Sequence, residues 1–174
     1  QSALGSKRYV SKRINRLKHY RNCWIDDKLH KVSKFIIDYC KDHNIGTIVV
    51  GKNEGWKTSI NIGKKNNQHF TMMPLAKLLE KIQYKAEFIC IKYTETEESY
   101  TSKCDALALE PIQKHEVYKG KRVKRGLFQS STGKMINADG NGSMNIGRKV
   151  FGDGFVKSLL NSRCALQHYR INIL

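Results

Sequence analysis

Acidic residues are scarce in this chain: 15 Asp and Glu stand against 32 Lys and Arg in 174 residues, a formal net charge of +17. That balance favours a polyanionic partner, nucleic acid first, because each phosphate neutralised by a side chain releases condensed counterions. Proline is nearly missing, with 2 residues, while 40% of the chain is hydrophobic. Together these exclude a largely disordered polymer and leave enough apolar surface for one domain with a core. No apolar run approaches the roughly 18 residues of a spanning helix and no signal-peptide pattern opens the chain, so no membrane partner is expected. The five cysteines, Cys23, Cys40, Cys90, Cys104 and Cys164, form no Cys-x-x-Cys pair, which reads as reduced thiols of a cytoplasmic, nucleoid-associated protein. The six histidines are scattered without metal-ligand spacing, no serine sits in a nucleophile motif, and there is no internal repeat or low-complexity segment.

What is present begins with a helical pattern from Ser6 to about His43, where Ile14, Leu17, Ile25, Leu29, Val32, Ile36 and Tyr39 recur at mostly three-and-four spacing. The opposite face is basic, and most of its charge lies before Trp24, so Lys12, Arg13 and Arg16 are candidates to track a nucleic-acid backbone. Asn44-Ile45-Gly46 stops this helix, and Thr47-Ile48-Val49-Val50 is a short apolar, β-branched run that predicts a strand buried on both faces of a parallel sheet. A polar segment over residues 51–70 follows at the carboxyl end of that strand, where open α/β sheets place their sites, and offers Lys52, Trp56, Lys57, Lys64 and Lys65 to a polyanion.

Pro74 opens a second amphipathic helix through Leu75, Leu78, Leu79, Ile82 and Ala86, and Phe88-Ile89-Cys90-Ile91 reads as another strand. Helix, strand, helix, strand in this order builds one half of a right-handed α/β layer. Residues 114–136 read as an inserted β-hairpin turning at Ser130-Ser131-Thr132-Gly133, with Lys121, Arg122, Lys124 and Arg125 along a basic ridge. A last helix is predicted from about Asp139 to Val150, and nothing regular is predicted after Gly152.

Four stretches of this layout are distinctive: the basic helix through Leu29-His30-Lys31-Val32-Ser33, the strand Gly46 to Val50, Glu98-Ser99-Tyr100-Thr101-Ser102, and Asn137-Ala138-Asp139-Gly140-Asn141 with Asn145-Ile146. In their identity and order they resemble the transposon-encoded OrfB/TnpB proteins, RNA-guided DNA endonucleases with a RuvC domain of RNase H fold, related to type V CRISPR effectors. The resemblance implies an α/β, RNase H-like (RuvC) nuclease domain over residues 1–150. That domain is partial at its N-terminus and interrupted at 99–136 by a zinc-ribbon-like insertion, with a C-terminal tail at 151–174. It also implies Mg²⁺ as cofactor and DNA and a guide RNA as partners. Asp139 becomes a catalytic metal ligand, against the plain alternative of an N-cap aspartate.

Three departures accompany the match. The family's first catalytic aspartate lies on a strand before the basic helix, so a longer protein or a remnant is expected. Its glutamate follows the first strand read here, where this chain has Gly51. Glu54, Glu97 and Glu98 are the replacements within reach, with Glu97 favoured. The ribbon's two Cys-x-x-Cys knuckles are reduced to Cys104 with Leu107, and to Gln129 with Thr132. One thiol does not make the four-ligand set of a structural zinc, so the hairpin is expected to hold together through Leu127, Phe128 and Met135. A nuclease-inactive binder of guide RNA or DNA is the alternative function.

Overall fold

Ser11 starts the first helix by accepting the Ile14 N–H on its hydroxyl, at 3.3 Å, and the computed structural model describes residues 11–52 and 74–161. Helix α1 (Lys12–Asp42) ends where Asn44 takes a left-handed φ of 51° and turns the chain into β1 (Thr47–Gly51). Helix α2 (Leu75–Phe88) leads to β2 (Lys92–Thr96), then come β3 (Lys121–Lys124), β4 (Leu127–Gln129), β5 (Met135–Asn137), α3 (Ala138–Phe151) and α4 (Gly154–Asn161). The described residues form a mixed α/β fold with two small sheets. Among the described residues no helix is long and apolar enough to cross a membrane.

The first sheet pairs β1 and β2 in parallel, as the helix–strand alternation implied, with Thr47 opposite Lys92 and Gly51 opposite Thr96. Its second strand lies four residues later than the apolar run at 88–91 suggested. Helix α2 continues through Phe88, which is 88% exposed, and Cys90 at φ 60° makes the turn. Ile89 and Ile91 then drop into the core while the half-polar Lys92-Tyr93-Thr94-Glu95-Thr96 does the pairing. β1 is half-buried along its length rather than buried on both faces.

Two apolar clusters hold the molecule. Ile37 and Cys40 of α1, Ile82 and Ala86 of α2, and Ile91 form one, under the parallel sheet. Lys85 fastens the same two helices by donating to Ser33 Oγ at 2.7 Å and to the His30 carbonyl at 2.9 Å, and burial pushes its ammonium below the usual lysine range. The first turns of α1 lie outside this cluster, and Ile14, Leu17 and Trp24 are exposed there.

The second cluster gathers Ala106, Leu107, Phe128, Ile136, Ala138, Met144 and Val156 between the three-stranded antiparallel sheet and α3. Val156 belongs to α4, a helix that was not foreseen past Gly152. Phe155, Val156, Leu159 and Leu160 have the one-and-four spacing of a buried face, and all four pack here. Gly147 makes room for this helix: a β-carbon there would lie 2.2 Å from Phe155 Cε1. Gly147→Ala gains helix propensity of about 1 kcal/mol but must displace a packed ring, a cost of about 1–3 kcal/mol. We expect a net lowering of the melting temperature by a few degrees in a calorimetric scan; an increase would mean that α4 swings aside freely.

Candidate functional site

Helix α3 positions the site from below. Its N-cap is Asn137, whose Oδ1 accepts the N–H groups of Asp139 at 2.8 Å and Gly140 at 3.1 Å. The capping role that competes with any functional role for Asp139 is thus filled by its neighbour. The Asp139 side chain, one position into the helix, is exposed on a cleft of about 330 Å³. Glu98, Ser99, Tyr100, Thr101 and Ser102 form the opposite wall, and Gly142, Ser143 and Ile146 complete the helical one.

A succession of buried polar contacts sets the height of that opposite wall. Asn141, Asn145 and Arg148 lie on the inner side of α3 at spacings of four and three, and all are buried. Asn141 receives the Ala106 N–H at 3.0 Å and donates to the Cys104 carbonyl at 2.9 Å. Asn145 donates to the carbonyls of Thr101 (2.8 Å) and Cys104 (2.7 Å), and its own Oδ1 accepts from Arg148 at 2.8 Å. Arg148 also donates to the Glu110 carbonyl at 3.0 Å and is paired with Asp153 at 2.7 Å. Thr101 completes the series, because its hydroxyl and its N–H both donate to the Glu98 carbonyl, at 2.8 and 3.2 Å. Of the asparagines of the Asp-x-Asn-x-x-x-Asn motif, Asn145 therefore positions the Glu98-to-Thr101 turn and Asn141 the Cys104-to-Ala106 segment after it, and neither lines the cleft, a role that sequence reading did not assign. Their spacing of four on one helix face was the available signal.

Glu98 lies against Gly51. A β-carbon at position 51 would be 2.8 Å from Glu98 Oε2, 2.9 Å from Glu98 Cβ and 2.7 Å from Ile146 Cδ1. Any side chain there would collide with the carboxylate that now lines the cleft with Asp139. Glu97, the favoured replacement, is exposed; its carboxylate accepts the Ser99 hydroxyl, and its carbonyl accepts Lys149 Nζ at 2.8 Å. Among the described residues, the cleft brings together Glu98 and Asp139 but not Glu97. Glu54, Trp56, Lys57, Lys64 and Lys65 lie outside the described residues.

The other cationic candidates are dispersed. Lys12, Arg13 and Arg16 are exposed on the first turns of α1. Lys52, just past β1, pairs with Glu95 at 2.7 Å and holds that carboxyl below its usual range. Tyr93 donates to the same carboxylate at 3.2 Å; burial first, and Glu95 second, push its phenol up to about 12. Lys121, Arg122, Lys124 and Arg125 are exposed along β3 and its turn. Arg122 reaches a hollow of about 360 Å³ with Ser102, Lys103, Tyr118 and Phe128, and Ser102 is shared with the acidic cleft.

As for a metal, the described residues hold no group of three or more His, Cys, Asp or Glu. Two hard carboxylates on one open cleft nevertheless fit Mg²⁺, which takes one or two protein carboxylates together with waters and substrate phosphates.

Residues 76–146 match the family described as Cas12f1-like, TNB domain. The fold is shared with a chain of a cryo-EM Cas12f1-sgRNA-target DNA complex, at a TM-score of 0.54 and 17% identity over 78% of the present chain. The match covers 36% of that chain, so the protein described here spans about a third of its length. No curated protein matches. The matched segment runs from α2 through β2 and the antiparallel sheet to Ile146, and so contains both walls of the cleft. Over residues 76–146 the chain is thus similar to the Cas12f1-like TNB domain, and its fold is that of the Cas12f1 chain, in keeping with the resemblance that the Tyr-Thr-Ser and Asp-x-Asn-x-x-x-Asn-Ile motifs carry.

Proposed function

We propose that the chain is the RuvC-like, RNase H-type portion of a TnpB-type RNA-guided DNA endonuclease, and that Glu98 and Asp139 are two of its catalytic carboxylates. The observation that carries this reading is the Glu98 carboxylate standing over Gly51, in the place a glutamate after β1 would need, on the cleft it shares with Asp139. A shift of the acid from the end of one parallel strand to the end of its neighbour keeps the charge at the carboxyl edge of the sheet. When bound there, Mg²⁺ supplies Lewis-acid stabilisation of a phosphodiester in displacement and a nucleophilic water at neutral pH.

The protein's own groups have separate tasks. Glu98 and Asp139 provide the hard oxygen ligands from two elements, and the Asn145–Thr101–Glu98 series fixes one relative to the other. Lys103, whose ammonium lies over the Tyr118 ring at 5.9 Å from its centroid, and Arg122, in the hollow that adjoins the cleft at Ser102, hold the phosphates of a strand on its way to the carboxylates.

Cleavage of plasmid DNA by the longest native reading frame containing this chain, expressed with its flanking non-coding RNA, is the direct test. Mg²⁺-dependent cutting that Asp139→Ala abolishes is the expected result. RNA-dependent binding without cutting would instead establish the alternative, a nucleic-acid binder descended from such a nuclease. Independently, Arg122→Ala with Lys124→Ala should weaken single-strand affinity about tenfold and flatten the log-affinity against log-salt slope by about 1.5. Fluorescence anisotropy at several salt concentrations reads both; an unchanged slope removes the ridge from the interface.

A further inference from the structure

The family ribbon is a zinc site, and this chain does not fit the metal. Of the four positions that would hold it, Leu107 is packed in the apolar core and Thr132 Oγ1 is hydrogen-bonded to Ser130 Oγ at 2.9 Å. Gln129 is a strand residue paired with Met135, and Cys104 is the remaining sulfur, directed to the Gln113 carbonyl at 3.6 Å.

Yet the two knuckles are joined. Asp105, fully buried, lies beside Cys104 and reaches both. Its Oδ1 accepts the N–H groups of Leu107 at 3.1 Å and Ala108 at 3.2 Å on the first knuckle. Its Oδ2 accepts the Ser130 hydroxyl at 2.8 Å, the Ser131 N–H at 2.7 Å and the Ser131 hydroxyl at 3.0 Å on the second. Glu110, 2% exposed, does the same one layer away by accepting the N–H groups of Asp105 at 2.7 Å and Lys119 at 2.8 Å. No ion pair reaches either carboxylate among the described residues, and no buried side-chain polar atom there is left without a partner. A buried carboxylate is tolerable only when its lone pairs are filled, and charge-assisted bonds of this kind are about twice as strong as neutral ones. Met135, which the sequence offered as part of the ribbon's apolar support, is 44% exposed, so Phe128 and the carboxylates carry that task.

We infer that the ribbon is a metal-free unit in which Asp105, seconded by Glu110, has taken over the cross-link between knuckles that zinc makes in its relatives. The donor set explains why the second knuckle is Ser130-Ser131-Thr132: hydroxyl and amide donors converge on an anion where thiolates would converge on a cation.

Three measurements on the full chain test this. Elemental analysis of protein purified without chelator should find less than a tenth of an equivalent of zinc, and neither a strong zinc chelator nor added zinc should move the melting temperature. Asp105→Asn, which turns an acceptor towards N–H donors, should lower that temperature by about 6–10 °C. Ser130→Ala and Ser131→Ala each delete one hydroxyl donor and leave the charge, and should each lower it by about 1–4 °C, which keeps the test readable if the Asn variant does not fold. Stoichiometric zinc, a chelator-sensitive transition, or serine variants indistinguishable from the parent would each overturn the inference.

Discussion

Glu98→Gln in the longest native reading frame, with its RNA, is expected to cut DNA at least about 10³-fold more slowly than the parent while binding it within a few-fold. Losing one ligand to a catalytic cation removes several kcal/mol of transition-state stabilisation, and every 1.36 kcal/mol is tenfold in rate. The amide keeps the shape of the side chain, its place over Gly51 and the Thr101 contacts to its backbone carbonyl. Activity therefore falls without the turn coming apart, which an unchanged melting temperature would verify. Glu97→Gln is the control: its carboxylate is engaged with Ser99 on the exposed side, and its rate should stay within about threefold. A converse experiment uses the collision at position 51. Gly51→Glu alone should impair both folding and cutting, because its β-carbon meets the Glu98 side chain at 2.8 and 2.9 Å and Ile146 at 2.7 Å. Gly51→Glu joined to Glu98→Ala removes the Glu98 half of that conflict and returns a carboxylate to the end of β1, so it should recover part of the lost rate. Full activity in Glu98→Gln would remove Glu98 from the site and leave Glu54 as the acid to pursue.

Why the sequence could not tell which of Glu97 and Glu98 lines the cleft with Asp139 is a matter of register. Side chains alternate across a strand, so a shift of one residue exchanges the two faces. With the second strand assigned to the apolar run at 88–91, nothing fixed the parity of the residues beyond it. Pairing Gly51 with Thr96 brings the residues that follow β2 to the end of β1, where it is the Glu98 side chain that lies against Gly51. The misplacement has a physical cause. Phe88 to Ile91 looks like a buried strand by composition, but its hydrophobicity is spent on closing α2 and on seating Ile89 and Ile91 in the core.

Local signals fared better where one element decides its own fate. The periodicity of α1 and α2, the β-branched run of β1 and the turn at Ser130 to Gly133 needed no distant partner to be recognised. Motif identity singled out Asp139, which the structure places on the cleft, although the sequence could not show that Asn137 relieves it of capping. The buried carboxylates are the opposite case. Asp105 and Glu110 look like surface acids until the 25-residue separation between Asp105 and Ser130 is closed.

Asn145→Ala should be the most damaging single truncation outside the cleft, at about 3–5 kcal/mol. The side chain is fully buried and makes three hydrogen bonds, to the carbonyls of Thr101 and Cys104 and from Arg148. Its removal takes from the Thr101 carbonyl its side-chain donor, at about 1–3 kcal/mol, and costs about 1 kcal/mol each at the Cys104 carbonyl, which keeps Asn141, and at Arg148, which keeps the Glu110 carbonyl. Against a total stability of about 5–15 kcal/mol, that is a large fraction. Urea unfolding should show a midpoint shift with little change in slope. Asn145→Asp is the sharper variant: it keeps the volume and the acceptor for Arg148, but turns an anion towards two carbonyl oxygens where the amide donated. It should be at least as destabilising as alanine, so a near-native midpoint would mean that the Thr101 turn is held by other contacts. The same substitution separates architecture from chemistry. At a temperature where the alanine variant is still mostly folded, its cutting rate should drop further than its folded fraction, because the Glu98 carbonyl is anchored through Thr101, whose own carbonyl depends on Asn145. A rate that merely tracks the folded fraction would limit Asn145 to stability and detach it from the geometry of the cleft.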